Sequence, residues 1–303
     1  MVPIQRILCP IDFSASSALA FDYAQSAAWH YSATVWLQHV VESLRPYLPY
    51  NYFPDAYDEI CRTLRAEAVK QLQGFAKSRN SRGVPVQCTV QDGNIADLIL
   101  DVAEDRAVDL IVLGTHGLRG TDHLALGSVT EKVLRKARCL VLAVREAAYG
   151  GSDSTGAPGF VEAHRVICCT DFSETSEQVL DKAISVAATY GAELTLLHVL
   201  EGTSRSSDIE TETKQVLQRL EQQIPFRGCP NLVIQPAVRI GKPYQQIIEL
   251  ALESQTDVIV MGARGTSAFD LAVFGSVTHR VVQSGPCPVL VVHTTKDPKE
   301  RVG

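Results

Sequence analysis

The sequence feature that most constrains the fold is a glycine-rich stretch that occurs twice, at residues 114–130 and 262–278. Both copies share one skeleton: Gly, two residues, Gly, nine residues and then Gly-Ser-Val-Thr. An apolar run precedes each copy and valines at helical spacing follow it, which predicts a loop between a strand and a helix. Because backbone N–H groups and the positive end of a helix attract anions, this context favours a phosphate-binding loop.

The glycines and serines of this stretch also allow a simpler interpretation. Glycine can merely turn the chain, and Ser128 and Ser276 can merely cap the following helix. Turns and caps, however, do not require a nine-residue gap to be kept in both copies. We therefore predict that the two loops bind phosphate, with hydroxyl groups supplied by Ser128, Thr130, Ser276 and Thr278.

The rest of the chain is repeated as well. The text RILCPIDFS, which contains Asp12, returns as RVICCTDFS, which contains Asp171, at a separation of 159 residues. The loop glycines Gly114 and Gly262 are only 148 residues apart, so the first copy holds 11 extra residues. The Tyr-rich stretch 45–57 is the candidate for this insert.

A segment rich in Gly, Ser and Pro separates the two copies, and this composition is typical of linkers. We therefore predict domains at residues 1–147 and 161–303, joined by a linker at 148–160. Each domain is near the common domain size.

Each copy alternates five short apolar runs with helical patterns. In the first copy, Ser14 and Asn94 are predicted to cap helices, and a long helix is predicted from about Asp58 to Lys77. This order predicts an α/β fold with a parallel sheet covered by helices on both faces. Ligands of such sheets bind beyond the carboxyl ends of the strands, where the strand order reverses. Asp12 follows the first strand and Gly114 ends the fourth, so both are expected to face one crevice if these strands are neighbours.

The composition excludes some classes of function. A net charge of −6 argues against bulk binding of nucleic acid, which requires a basic surface. No apolar run is long enough to span a membrane, and the first residues lack a signal-peptide layout, so we expect a cytoplasmic protein. The eight cysteines form no C-x-x-C pair, and we expect free, largely buried thiols.

The repeated motifs resemble those of the universal stress protein family, in particular its tandem two-domain members. The resemblance rests on I-L-C-P-I-D-F-S, on D-L-I-V-L-G and on the G-x2-G-x9-G-S-V-T loop, each with a counterpart in the second half. It implies two tandem Rossmann-like domains, each with a five-stranded parallel sheet of order 3-2-1-4-5. The loop spacing is that of the ATP-binding branch, which implies ATP, with or without Mg²⁺, in one or both domains.

The resemblance also assigns residues to the nucleotide. Asp12 and Asp171 would contact the adenosine part, and Val40 and Val199 would line the adenine pocket. The second copy has Cys169-Thr170 where the first has Pro10-Ile11, a difference that would alter how the adenine sits. The ribose and phosphates would lie against Gly114, Gly117, Gly127, Ser128, Val129, Thr130, Gly262, Gly265, Gly275, Ser276, Val277 and Thr278.

Further polar residues of the loops have two interpretations each. His116 and Arg264 occupy the same loop position, where each either places positive charge near a phosphate or remains a solvated side chain. Asp122 and Asp270 also correspond; they either order a metal ion or, as we favour, cap a local turn.

His39 and His198 end the second strand of each copy. A general base is conceivable there, but no nucleophile recurs beside them, and we favour structural histidines.

Three functions remain from the sequence. The first is an ATP-binding stress-response regulatory protein whose nucleotide state is read by an unknown protein partner. The second is a slow ATPase or phosphotransferase, against which stands the absence of a Walker A lysine and of an evident base. The third is a nucleotide-free scaffold.

Because family domains commonly pair through their fifth strands, we also expect the two halves to form an internal pseudo-dimer. A homodimer would use the Tyr-rich insert.

Overall fold

The computed structural model describes residues 4–42, 54–117, 126–145, 162–201, 206–224, 232–264 and 274–293. Strands and helices alternate through both halves. The first half contains β1 (Arg6–Pro10), α1 (Ala15–Tyr31), β2 (Thr34–Glu42), α2 (Pro54–Arg79), β3 (Val86–Gly93), α3 (Ile95–Asp105), β4 (Leu110–Gly114), α4 (Ser128–Lys136) and β5 (Leu140–Val144). The second contains β6 (Arg165–Cys169), α5 (Ser176–Tyr190), β7 (Glu193–Leu200), α6 (Ser206–Gln223), β8 (Ile234–Ile240), α7 (Pro243–Glu253), β9 (Val258–Gly262), α8 (Ser276–Ser284) and β10 (Val289–Val292).

The described residues divide into two compact units, one holding β1–β4 and the other holding β5–β10. In the first unit the strands are parallel and lie in the order β3-β2-β1-β4. In the second, the parallel strands lie in the order β8-β7-β6-β9-β10, which is the predicted 3-2-1-4-5. Strand β5 pairs with β10 in antiparallel fashion in this unit. The predicted fold class, α/β with two tandem Rossmann-like domains, is confirmed.

The strands form where the apolar runs predicted them. The side chains of Ile7, Leu8 and Cys9 in β1 and of Ile111 and Val112 in β4 are fully buried. Strands buried on both faces lose more apolar surface to the interior than strands with one wet face, which explains their continuous hydrophobic sequence.

Helix boundaries agree with the caps read from the sequence, with one difference. Ser14 caps α1 and its hydroxyl accepts a bond from the backbone N–H of Ser17 at 3.1 Å. Asn94 caps α3 in the same way. Helix α2 begins at Pro54, four residues before the predicted start and inside the Tyr-rich insert, because proline suits the first position of a helix. The remainder of the insert, 45–53, lies outside the described residues.

The cysteines in the described part of the chain form no disulfide, which agrees with the expected free thiols. Burial raises the pKa of Cys139 and of Cys287 to about 12, so these thiols stay protonated and unreactive near neutral pH. Within the described residues, no helix combines the length and the apolar character needed to cross a membrane.

Candidate functional site

The Asp12 loop and the first glycine loop meet at the carboxyl ends of two neighbouring strands. Strand β1 pairs directly with β4, with Ile7 opposite Leu110. The Oδ2 atom of Asp12 lies 2.7 Å from the position that a Cβ atom on Gly117 would occupy. The sequence predicted this shared crevice, and the structure confirms that the two loops face each other in the first copy.

Local hydrogen bonds hold the corresponding aspartates of the two copies, Asp12 and Asp171. Oδ1 of Asp12 accepts bonds from the backbone N–H of Ser14 at 3.0 Å and from its hydroxyl at 2.6 Å. Oδ1 of Asp171 accepts from the N–H of Ser173 at 3.1 Å, but its hydroxyl donor, at 2.8 Å, is Ser176. These bonds fix the carboxylate in both copies.

The serines that orient the aspartates were missed as site residues, although the repeated D-F-S text was a usable signal. An Asp followed two residues later by a backbone donor is the pattern of an Asx turn. Ser14 was predicted only as the cap of α1, and it performs both tasks.

A phenylalanine in a left-handed conformation follows each aspartate. Phe13 and Phe172 have φ angles of 65° and 58°, which is costly for a residue with a bulky side chain. Their rings contact the imidazoles of His39 and His198 at centroid distances of 4.8 and 4.6 Å. The surrounding packing must therefore hold this strained backbone in place, and nothing in the sequence pattern revealed it.

The two strand-end histidines support the same segment of backbone. Nδ1 of His39 donates to the carbonyl oxygen of Ile11 at 2.7 Å, and Nδ1 of His198 donates to that of Thr170 at 2.8 Å. Because a carbonyl can only accept, the proton lies on Nδ1 in each ring. This geometry supports the structural interpretation of both histidines.

Identical hydrogen bonds close the two glycine loops at their ends. The N–H of Gly127 donates to Thr115, and that of Gly275 donates to Ala263, both at 2.9 Å. The buried hydroxyls of Thr130 and Thr278 donate to the carbonyl oxygens of Gly114 and Gly262, both at 2.8 Å. The threonine hydroxyls thus hold the loop closed, and their backbone N–H groups are what these residues can offer a phosphate.

The helices after the loops begin without a side-chain cap. Gly127 and Gly275 are the N-cap residues of α4 and α8, and neither helix has a side-chain cap bond. The alternative that Ser128 and Ser276 only cap these helices is therefore wrong, since each serine is the first helical residue and is exposed. The N–H groups at the start of a helix have no intrahelical partner, and together with a serine hydroxyl they suit an anion.

The loop glycines are required for space rather than for a left-handed backbone. Neither Gly114 nor Gly117 has a positive φ. A Cβ on Gly114 would lie 2.4 Å from Oγ of Ser16 and 2.9 Å from its backbone carbonyl carbon. A side chain at either position would therefore collide with the start of α1 or with Asp12.

Other predicted residues lie around this crevice or outside the described part. Val40 is buried near the end of β2, and Val199 occupies the same place in β7. Nδ1 of His116 lies 2.8 Å from the hydroxyl of Thr115. Gly265, Asp122 and Asp270 lie outside the described residues. Among the described residues there is no group of three acidic, histidine or cysteine side chains that could hold a metal ion.

The model of the universal stress protein family matches residues 3–145 and again residues 162–293. The chain belongs to the universal stress protein family. A universal stress protein of Mycolicibacterium smegmatis is 25% identical over 296 residues, which cover 94% of this chain and 96% of that protein. The universal stress protein YxiE of Bacillus subtilis is 32% identical over 145 residues, 46% of this chain and 98% of its own length.

A solved universal stress protein from Archaeoglobus fulgidus has the same fold over both halves. It aligns with a TM-score of 0.64 at 20% identity, covering 97% of this chain and 98% of the other. The two copies of our chain therefore share one tandem architecture with that structure. Within our chain, the hydrogen bonds that close the glycine loop are the same in both copies.

Proposed function

We propose that this universal stress protein binds ATP in the crevice of one or both copies and that its nucleotide state regulates a stress-response partner. The observation that carries the proposal is the approach of Gly117 to Asp12, where a side chain would come within 2.7 Å of the carboxylate. Glycine at a point of close approach is typical of loops over which a ligand passes. The same aspartate and loop are those that the family resemblance assigns to adenosine and phosphate.

The start of α4 supports the phosphate half of this proposal. The first intrahelical bond runs from the N–H of Glu131 to the carbonyl of Gly127 at 2.9 Å. The N–H groups of Ser128, Val129 and Thr130 precede that bond, so they remain for a ligand or for water. Ser276, Val277 and Thr278 are arranged in the same way at the start of α8. The fixed carboxylates and Val40 or Val199 would then hold the adenosine.

Calorimetry tests this function directly. We expect the purified protein to bind ATP with up to two sites per chain, whereas inorganic triphosphate, which lacks adenosine, binds more weakly. Absence of heat and of any thermal shift at about 1 mM ATP would exclude the proposal, since a Kd above that value is a very weak interaction. Phosphate release measured on the same samples separates a binding protein from the alternative of a slow ATPase.

We further propose that the two copies pair as an internal pseudo-dimer through their fifth strands. Val141 of β5 lies opposite Val291 of β10, and Ala143 lies opposite Val289. Pairing removes two apolar strand edges that would otherwise promote aggregation. Any homodimer contact would then use the Tyr-rich insert.

Cleavage of the linker checks this pairing. We expect a protease that cuts within residues 148–160 to leave both fragments together on a sizing column under native conditions. In denaturant the same fragments should separate, which controls for incomplete cleavage. Two fragments that elute as independent soluble monomers without denaturant would contradict the pairing.

A further inference from the structure

The two glycine loops share a skeleton but differ in charge. Among the described residues of the loop and of the first turn of the following helix, three positions differ in ionisable side chains between the copies. The first copy has His116, Glu131 and Lys132, and the second has Arg264, His279 and Arg280. Two of these differences, Arg264 in place of His116 and His279 in place of Glu131, make the second copy more positive, and the third exchanges one cation for another.

In the first copy, the protein itself supplies an anion to the helix start. Glu131 is the acidic residue in the first turn of α4. A carboxylate there interacts favourably with the positive end of the helix, as a phosphate would. It therefore stabilises the empty helix and repels each further negative charge brought to the same end.

The lysine beside Glu131 does not offset this repulsion. Nζ of Lys132 lies 2.7 Å from Oδ1 of Asp97 on α3. The hydrogen bond from Lys132 lowers the pKa of Asp97, so the carboxylate stays ionised and balances the lysine. The pair contributes no net charge to the mouth of the first site.

The second copy has the opposite character. The ring of His279 lies edge-on to that of Phe274, with centroids 6.3 Å apart, and Phe274 directly precedes the N-cap of α8. His279 therefore lies beside the loop end of the helix, and it is either neutral or positively charged, never negative. The guanidinium of Arg280 lies over the neutral ring of Tyr244, 4.7 Å from the ring centroid. Gln245 stands where the first copy has Asp97, so no carboxylate at this position balances the charge of Arg280.

The loop residues outside the described part reduce this difference but do not reverse it, because Arg119 of the first copy corresponds to Ser267 of the second. By sequence, the acidic and basic residues of 114–132 cancel, whereas those of 262–280 leave one positive charge. Asp97 adds one negative charge to the first copy, and its counterpart Gln245 adds none to the second. By sequence, these parts of the two copies thus differ by two formal charges.

We propose that the two sites take different adenine nucleotides. The second copy binds the triphosphate much more tightly than the monophosphate. The first copy binds the monophosphate almost as tightly as it binds the triphosphate. This inference rests on the proposed nucleotide-binding function and deepens it. The physical reason is that each added phosphate brings negative charge, which is attracted by the Arg264 and Arg280 side and repelled by Glu131.

The experiment measures AMP and ATP on single-copy proteins at fixed salt and Mg²⁺. Gly265→Val is used to disable the second loop, and Gly117→Val to disable the first. We expect the ratio of the AMP Kd to the ATP Kd to be about ten-fold larger for the second copy than for the first. Because AMP and ATP share the adenosine part, the ratio reports only the phosphate end.

Exchange variants make the test specific to the first turn of the helix. Glu131→His with Lys132→Arg gives the first copy the residues of the second, and its ratio should rise towards that of the second copy. Arg135→Gln with Lys136→Ser, which also copies the second half but at the exposed far end of α4, is the matched control and should leave the ratio unchanged.

The outcomes distinguish this inference from the function on which it rests. Binding at both sites with equal ratios, or an unchanged ratio in the first-turn exchange, overturns the charge-based preference and leaves nucleotide binding intact. A control variant that shifts the ratio as much as the first-turn exchange also overturns it, since general charge would then be the cause. Failure of both nucleotides to bind either site removes the proposed function and this inference together.

Discussion

Gly117→Val is expected to remove nucleotide binding from the first copy and to leave the second unaffected. A Cβ at this position would lie 2.7 Å from Oδ2 of Asp12, well inside contact distance. Asp12 cannot turn away without breaking the two bonds that its Oδ1 accepts from Ser14. Valine would therefore both displace the carboxylate and occupy the space over which the ligand passes. We expect ATP affinity at this site to fall by about 100-fold or more.

Calorimetry measures this effect as a loss of one site per chain, and two further variants make the result specific. Gly74→Val makes the same substitution on the exposed face of α2, where a Cβ has no atom within 4 Å, and it should keep full ATP binding. The double variant Gly117→Val with Gly265→Val should bind at neither site. Unchanged stoichiometry and affinity in the double variant would show that the glycine loops are not the nucleotide site.

Gly114→Ala is expected to destabilise the first unit by about 1–3 kcal/mol, the usual effect of overpacking. The added Cβ would lie 2.4 Å from Oγ of Ser16 and 2.9 Å from its backbone carbonyl carbon. Rotation of the serine side chain can relieve only the first of these contacts. The second requires the start of α1 to move away from β4, although both elements contribute to the buried core. The alanine therefore strains backbone rather than a flexible side chain.

Urea unfolding followed by tryptophan fluorescence measures this change selectively. Both tryptophans of the chain, Trp29 and Trp36, lie in the first copy. Gly74→Ala provides a control of opposite sign, because an alanine in an open helix interior should stabilise the same unit by about 0.5–1 kcal/mol. A Gly114→Ala transition at or above the wild-type midpoint would contradict the close approach of β4 to α1.

Much of the fold and part of the site could be predicted from local sequence. Apolar runs of strand length and helical spacing of valines are short-range signals, so the order of elements and the caps at Ser14 and Asn94 followed from them. The alternation of strands and helices also predicted that Asp12 and the glycine loop share a crevice if β1 and β4 are neighbours, because the carboxyl ends of neighbouring parallel strands meet at one edge.

The details of the site depended on atoms that are distant in sequence or on backbone angles that composition does not report. The sequence alone did not show that Ser176 rather than Ser173 donates its hydroxyl to Asp171. It also did not show that the hydroxyl of Thr130 donates to the carbonyl oxygen of Gly114. It also gave no sign of the left-handed backbone at Phe13.

The sequence by itself determined a tandem α/β chain with two copies of a glycine loop, because periodicity and repetition are properties of the text. Only the tertiary structure decided why the loop residues must be glycine. The reason at Gly114 and Gly117 is the proximity of Ser16 and Asp12, about 100 residues away in the chain, and not a positive φ. It also decided the antiparallel register of β5 against β10, with Val141 opposite Val291, whereas the family resemblance had implied only that the fifth strands pair. Register depends on the packing of side chains that are far apart in the sequence.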